Sequence, residues 1–110
     1  MAVELWSDRV AVARPANDAQ LAEDIGTVEE MLAHRPLDAV VDFSSMTFLG
    51  STDLSRLIGL RKKLNAVESR LLLCGVTQQL HGTFHVTGLT KIFTFANDVS
   101  TALASLQLGQ

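Results

Sequence analysis

The side chains able to carry acid–base, nucleophilic or metal chemistry are few and scattered along this chain of 110 residues. There are three histidines and a single cysteine. His81 and His85 lie four apart, a spacing that puts both on one face of a helix where they could share a metal ion. No third ligand stands nearby in sequence, so a solvated helix face is the better reading, and no metal or other cofactor is expected. Cys74 sits in an apolar run, where a free cysteine behaves as a small buried hydrophobe. Being alone, it cannot form an internal disulfide and suits a reducing cytoplasm. The chain has no Gly-x-Ser-x-Gly elbow, no phosphate-binding glycine loop with lysine and no paired-carboxylate motif. No enzymatic activity is expected.

One short stretch does carry chemical information: Phe48-Leu-Gly-Ser-Thr-Asp-Leu54. A glycine precedes two hydroxyl residues at the start of an apolar-periodic segment, directly after a strand-like run. Loops at the carboxyl ends of strands are where ligands and partners meet α/β sheets. Ser51 is expected as the N-cap of the following helix, accepting from the amide of Asp53 or Leu54, and near enough to solvent for a kinase to reach it. A phosphate there would add about −1.5 to −2 charges at the positive end of the helix dipole, changing the surface without unfolding the domain. A cap with no further role is the simpler alternative.

The elements that must position this loop follow from patterning. Val3–Leu5 and Arg9–Arg14 read as two short strands, close enough to form a hairpin, with Pro15 ending the second. Asn17, with Gln20 three residues on, offers a capping box for a helix whose apolar face is Leu21, Ile25, Val28, Met31 and Leu32, running to about His34. Ala39–Phe43 is a strand that is apolar on both sides except at Asp42, as in sheets covered on both faces. Leu54, Leu57, Ile58 and Leu64 mark a helix to about Ala66, within which Gly59 hints at close packing. Leu71–Val76 reads as another core strand, and Leu80 and Phe84 as a helix ending at Gly88. Ile92–Phe95 is expected as the last strand, and Asn97 as the cap of a final helix with Val99, Leu103 and Leu106. The order β-β-α-β-α-β-α-β-α implies one α/β domain over residues 1–110, with a mostly parallel, mixed sheet of about five strands and four helices.

Totals narrow the function classes. Nine Lys+Arg against twelve Asp+Glu give a net charge of −3, which weighs against a nucleic-acid binder. No apolar stretch approaches the roughly 20 residues of a membrane span, and the first residues show neither a basic start nor an apolar signal region. A cytoplasmic protein with protein partners is the expectation. Arg56, Arg61, Lys62 and Lys63 give the second helix a basic side, of which Arg56 is best placed to help docking. Trp6, near the first strand, reads as packing.

The stretch Val40–Leu60 resembles the signature of STAS domains, where a strand ending Asp-Leu-Ser runs into a loop of the form Asp-Ser-Ser-Gly-Leu and an apolar helix. Val86–Phe93, reading Val-Thr-Gly-Leu-Thr-Lys-Ile-Phe, is similar to the family's Thr-Gly-Leu-x-Lys-Leu-Phe segment, and Arg70–Leu80 resembles the strand and helix start between them. The likeness covers about residues 38 to 107. It implies an anti-sigma-factor antagonist that binds an anti-sigma factor or related serine kinase, with Ser51 in the place of the phosphorylated serine and Thr52 at the next hydroxyl. The partner-binding residues it implies are Met46, Phe48, Leu49, Gly50, Ser51, Thr52, Asp53 and Arg56. Three positions depart from the family pattern: Gly50 stands where an aspartate is usual, Asp53 where a glycine is, and Arg14–Asp18 lacks a Gly-x-Leu-Asp pattern. An accessory subunit of a lipid-transport ATP-binding-cassette complex and a small-molecule sensor stay open as alternatives.

Overall fold

Short apolar segments that must hide both faces need helices on both sides, and the sheet is built that way. The computed structural model describes residues 3–108. Five strands, β1 (Val3–Ser7), β2 (Val10–Ala13), β3 (Asp38–Asp42), β4 (Leu71–Cys74) and β5 (Thr94–Ala96), lie in the order β1-β2-β3-β4-β5. The hairpin β1–β2 is antiparallel, with an irregularity between Leu5 and Ser7; the other three pairings are parallel. The helices are α1 (Asp18–Leu32), α2 (Ser51–Ala66), α3 (Gln78–Val86) and α4 (Val99–Gln107). None of the described helices is long and apolar enough to cross a membrane.

Alternation along each strand divides the core in two. On one face, Ala11, Ala13, Ala39, Val41 and Leu73 pack with Leu21, Ile25 and Val28 of α1, Leu57, Leu60 and Leu64 of α2, and Leu80 and Phe84 of α3. On the other, Val10, Val12, Val40, Leu72 and Cys74 meet only Ala102 and Leu106 of α4 among the described buried residues. Register explains the second set, because Val12, Val40 and Leu72 are cross-strand partners in successive pairings. The expected mixed α/β architecture is what the chain forms.

Several boundaries differ from the sequence reading. Strand β4 stops at Cys74 because Gly75 turns the chain with φ +65°, so Val76 lies outside the sheet. Leu89–Lys91 close into a short 3-10 turn, which delays the last strand to Thr94. Asp98, not Asn97, caps α4, its carboxylate accepting from the Thr101 amide at 2.8 Å. That bond to the amide holds the Asp98 carboxyl below its ordinary range. A Cβ at Gly59 would meet nothing within 4 Å, so that glycine marks no close approach. The α1 N-cap is as read, Asn17 accepting from Gln20 N at 2.8 Å, but the capping box is not closed: the Gln20 side chain accepts from Ala16 N at 2.8 Å, one residue before the cap.

Asp24 is an unexpected occupant of the buried face of α1. It is 2% exposed, and its Oδ2 finds no hydrogen-bond partner among the described residues. Burial, with the charge of Glu23 adding to it, pushes its carboxyl above the ordinary carboxylate value. The folded state therefore holds this proton more tightly than the unfolded one. That contribution is fully present in acid and is lost as pH rises through the folded-state value. Asp24→Asn should accordingly be more stable than the parent at pH 7, by roughly 1–2 kcal/mol, the scale of an unpaired buried polar group. The gap should close toward the acid side. Urea midpoints at pH 7 and pH 4 measure it, and equal midpoints at pH 7 would refute the assignment.

Candidate functional site

The loop between β3 and α2 is held from below by its apolar residues. Phe43 (0% exposed), Met46 (2%) and Leu49 (3%) all point into the core. Met46 N donates to Phe43 O at 2.9 Å, tightening the first turn, and Asp42 Oδ1 accepts from Ser44 N at 3.0 Å. Phe48 is turned the other way and is 67% exposed. Its ring lies close to Gly50, where a Cβ would come within 3.3 Å of Phe48 Cε2.

Gly50 is the N-cap of α2, with extended backbone at φ −92° and ψ 175°. This corrects the expectation for Ser51, which is the first helical residue. Having no side chain, Gly50 offers no cap of its own. Asp53 instead reaches back from the first turn, its Oδ2 accepting from Gly50 N at 2.9 Å, while Leu54 N donates to Gly50 O at 3.1 Å. The Asp53 carboxylate is thus spent on the helix start and is only 4% exposed. It contributes little open acidic surface, though its charge suits the positive helix end.

Ser51 and Thr52 are both exposed, and neither hydroxyl makes a hydrogen bond among the described residues. Together with Phe48, Gly50, Asp53 and Arg56 they line a groove of about 450 Å³, whose opposite wall is Asp18, Ala19 and Ala22 of α1. Phe48 also borders a smaller hollow of about 170 Å³ with Ala16, Asn17, Asp18, Met46 and Thr47. The sequence-derived residues are therefore brought together, but unequally. Phe48, Ser51, Thr52 and Arg56 present side chains outward, whereas Met46, Leu49 and Asp53 support them from within. The α1 wall was absent from the sequence reading, because nothing local links residues 18–22 to the loop.

Several of the remaining candidates have structural occupations. Arg61 Nε donates to Ile92 O at 3.0 Å, and Lys63 pairs with Glu29 at 3.0 Å, tying α2 to its neighbours. The His81 ring packs against Phe95 with centroids 5.1 Å apart. No group of three or more His, Cys, Asp or Glu among the described residues is placed to hold a metal ion. Burial, followed by the charges of Asp42 and Asp98, pushes the Cys74 thiol up to about 12, far from the thiolate a nucleophile requires. Trp6 is 43% exposed, less packed than expected, and faces a separate hollow with Val10 and Leu106.

The STAS domain family model matches residues 9–102. No curated protein matches the chain in sequence. Among solved structures, an anti-sigma-factor antagonist (STAS) domain protein from Planctomyces limnophilus is 18% identical with a TM-score of 0.80, over 96% of this chain and 96% of that one. The anti-sigma factor antagonist SpoIIAA is 16% identical in its unphosphorylated form, with a TM-score of 0.82 over 96% of this chain and 94% of that one. Its phosphorylated form, from Bacillus, has a TM-score of 0.74 at 16% identity, over 94% and 96%. A sulfate transporter family protein from Wolinella succinogenes is 18% identical, with a TM-score of 0.74 over 90% and 85%. At these identities the likeness is one of fold.

Proposed function

Because this chain belongs to the STAS domain family, we propose that it acts as an anti-sigma-factor antagonist: a cytoplasmic, non-enzymatic module that binds an anti-sigma factor with serine kinase activity. The observation that carries this reading is Ser51, an exposed, uncommitted hydroxyl on the first residue of α2. The backbone around it is fixed by the Asp53–Gly50 bond and by three buried loop side chains. A phosphate on this residue adds charge to a surface that is already rigid. The positive end of α2 accommodates it, so the fold persists while the outer face gains about −1.5 to −2 charges. The switch then works by repulsion at the contact surface.

The test is direct. The purified chain is incubated with the anti-sigma factor of its own cell and MgATP, and the intact mass is measured with the modified residue localised. One phosphate on Ser51, with loss of the complex, is the expected result. Stable binding with no phosphate transfer would leave a constitutive antagonist. No binding at all would defeat the reading. A second reading, a STAS-type subunit of a membrane transport assembly, draws on the fold shared with the Wolinella transporter protein and on Gly50 and Asp53. Co-purification with an ATP-binding-cassette subunit, in place of a kinase, would favour it.

A further inference from the structure

The sheet has two free edges, β1 and β5, and the chain treats them differently. β5 is three residues long and carries no exposed large hydrophobic side chain. β1 is five residues long and carries two, Leu5 at 46% and Trp6 at 43% exposure, the only ones in any described strand. Leu5 stands opposite Ala11 on the α1 side of the sheet, while Trp6, at the irregularity, shares its hollow with Val10 and Leu106 on the α4 side. Apolar surface therefore flanks this edge on both faces. Between the two faces run the backbone groups. Alternate residues of an antiparallel edge strand turn both N–H and C=O outward. No backbone group of Val3–Ser7 bonds to anything beyond the hairpin among the described residues. Such an edge is completed by a further strand, and edges left to water are ordinarily guarded by charge. The one charge on β1 is Glu4, and it is already paired within the chain, Arg14 Nη1 lying 2.8 Å from its Oε1.

We infer that β1 pairs antiparallel with β1 of a second copy across a two-fold axis near Leu5, joining two sheets into one of ten strands. An edge strand is its own complement in this arrangement, because the same outward donors and acceptors face one another in reverse order. Leu5 meets its symmetry mate on the α1 side. On the α4 side, Trp6 of each copy comes beside Glu4 and Arg14 of the other. Its indole N–H is a donor for the carboxylate, and its ring face suits the guanidinium. The in-chain pairing of Glu4 lets two copies meet without bare like charges. Only Val3–Leu5 keep a regular register before the irregularity, so the contact is small, below about 1,200 Å², and the dimer dissociates on dilution. No β1 residue lines the Ser51 groove, so the inference is independent of the proposed function, and the dimer carries two such grooves.

The test is sedimentation equilibrium of the full chain across a wide concentration range. The mass should rise from that of one 11.9 kDa chain toward twice that value. Leu5→Lys and Trp6→Lys each put an unpaired charge on the edge and should weaken association at least about tenfold. Thermal unfolding checks that both variants fold. A crosslink locates the contact independently of them. Leu5→Cys should yield a disulfide-linked dimer on mild oxidation, because facing Cβ atoms in an antiparallel pair lie about 4.5–5.5 Å apart and Cys74 is buried. Val86→Cys, 84% exposed at the end of α3, should not. A chain that stays monomeric at every concentration overturns the inference. So does association that survives both lysine variants, or a Val86→Cys crosslink as ready as the Leu5→Cys one, since either puts the contact elsewhere. Association lost in the lysine variants with no Leu5→Cys crosslink overturns the strand pairing. Mass rising past the dimer overturns the two-fold arrangement, and none of these results bears on Ser51.

Discussion

Ser51→Asp should weaken binding to the anti-sigma factor by at least about tenfold while leaving the domain as stable as the parent or slightly more so. The two effects have opposite signs for one physical reason. A carboxylate at the first position of α2 sits at the positive helix end, worth roughly 0.3–1 kcal/mol to the fold. The same charge faces outward from an exposed position, where a partner shaped for a neutral hydroxyl meets it as an unpaired anion. Ser51→Ala removes the phosphate acceptor without adding charge and should bind like the parent. Because the site is open to solvent, the Asp penalty should shrink as ionic strength rises. Calorimetry at two salt concentrations, paired with thermal unfolding, reads all of this. Equal affinity for the Asp and Ala variants would remove Ser51 from the switch. A destabilised Asp variant would show that the α2 start is less rigid than its cap implies.

The largest stability loss is expected from Gly75→Ala, at roughly 2–3 kcal/mol. Gly75 adopts φ +65°, where a side chain costs roughly 1–2 kcal/mol. An added Cβ would also collide with Asp42 Oδ1 and stand only 2.9 Å from Ser44 N. Asp42 would have to release its hydrogen bond to Ser44 N, loosening the start of the functional loop, for about another 1 kcal/mol. Against a total stability on the order of 5–15 kcal/mol, such a loss is large. Gly59→Ala supplies the control. It lies in the middle of α2 with open space around its Cβ position, so the same substitution should stabilise by up to about 1 kcal/mol. Urea midpoints moving in opposite directions for the two variants is the expected result, and a neutral Gly75→Ala would contradict the packing described.

Where structure is decided locally, the sequence was legible. Asn17 caps α1 through Gln20 N because both lie within one turn, and the apolar strands announce a sheet covered on both faces. The α2 cap shows the limit of that reasoning. Ser51 and Gly50 are adjacent and either suits a helix start, so the outcome depends on Asp53, whose carboxylate reaches back to Gly50 N. Asn97 and Asp98 pose the same local ambiguity, and Asp98 prevails. Within the loop, Met46, Phe48 and Leu49 look alike in sequence. Only the packed fold makes Phe48 the one that faces water. The groove was illegible for a simpler reason: its second wall, Asp18, Ala19 and Ala22, comes from α1, some 30 residues upstream, and nothing local ties it to the loop.

The uneven covering of the sheet bears on how the chain comes into being. Among the described residues α4 alone shields Val10, Val12, Val40, Leu72 and Cys74, and it leaves the ribosome after every strand it covers. At about 5–20 residues per second, the stretch from Asp98 to Gln107 takes on the order of a second to make. During that interval the earlier elements can close one face of the sheet while the other stays wet and adhesive. The nascent domain thus passes through a one-sided stage, in which chaperone capture and association between neighbouring chains compete with arrival of the final helix.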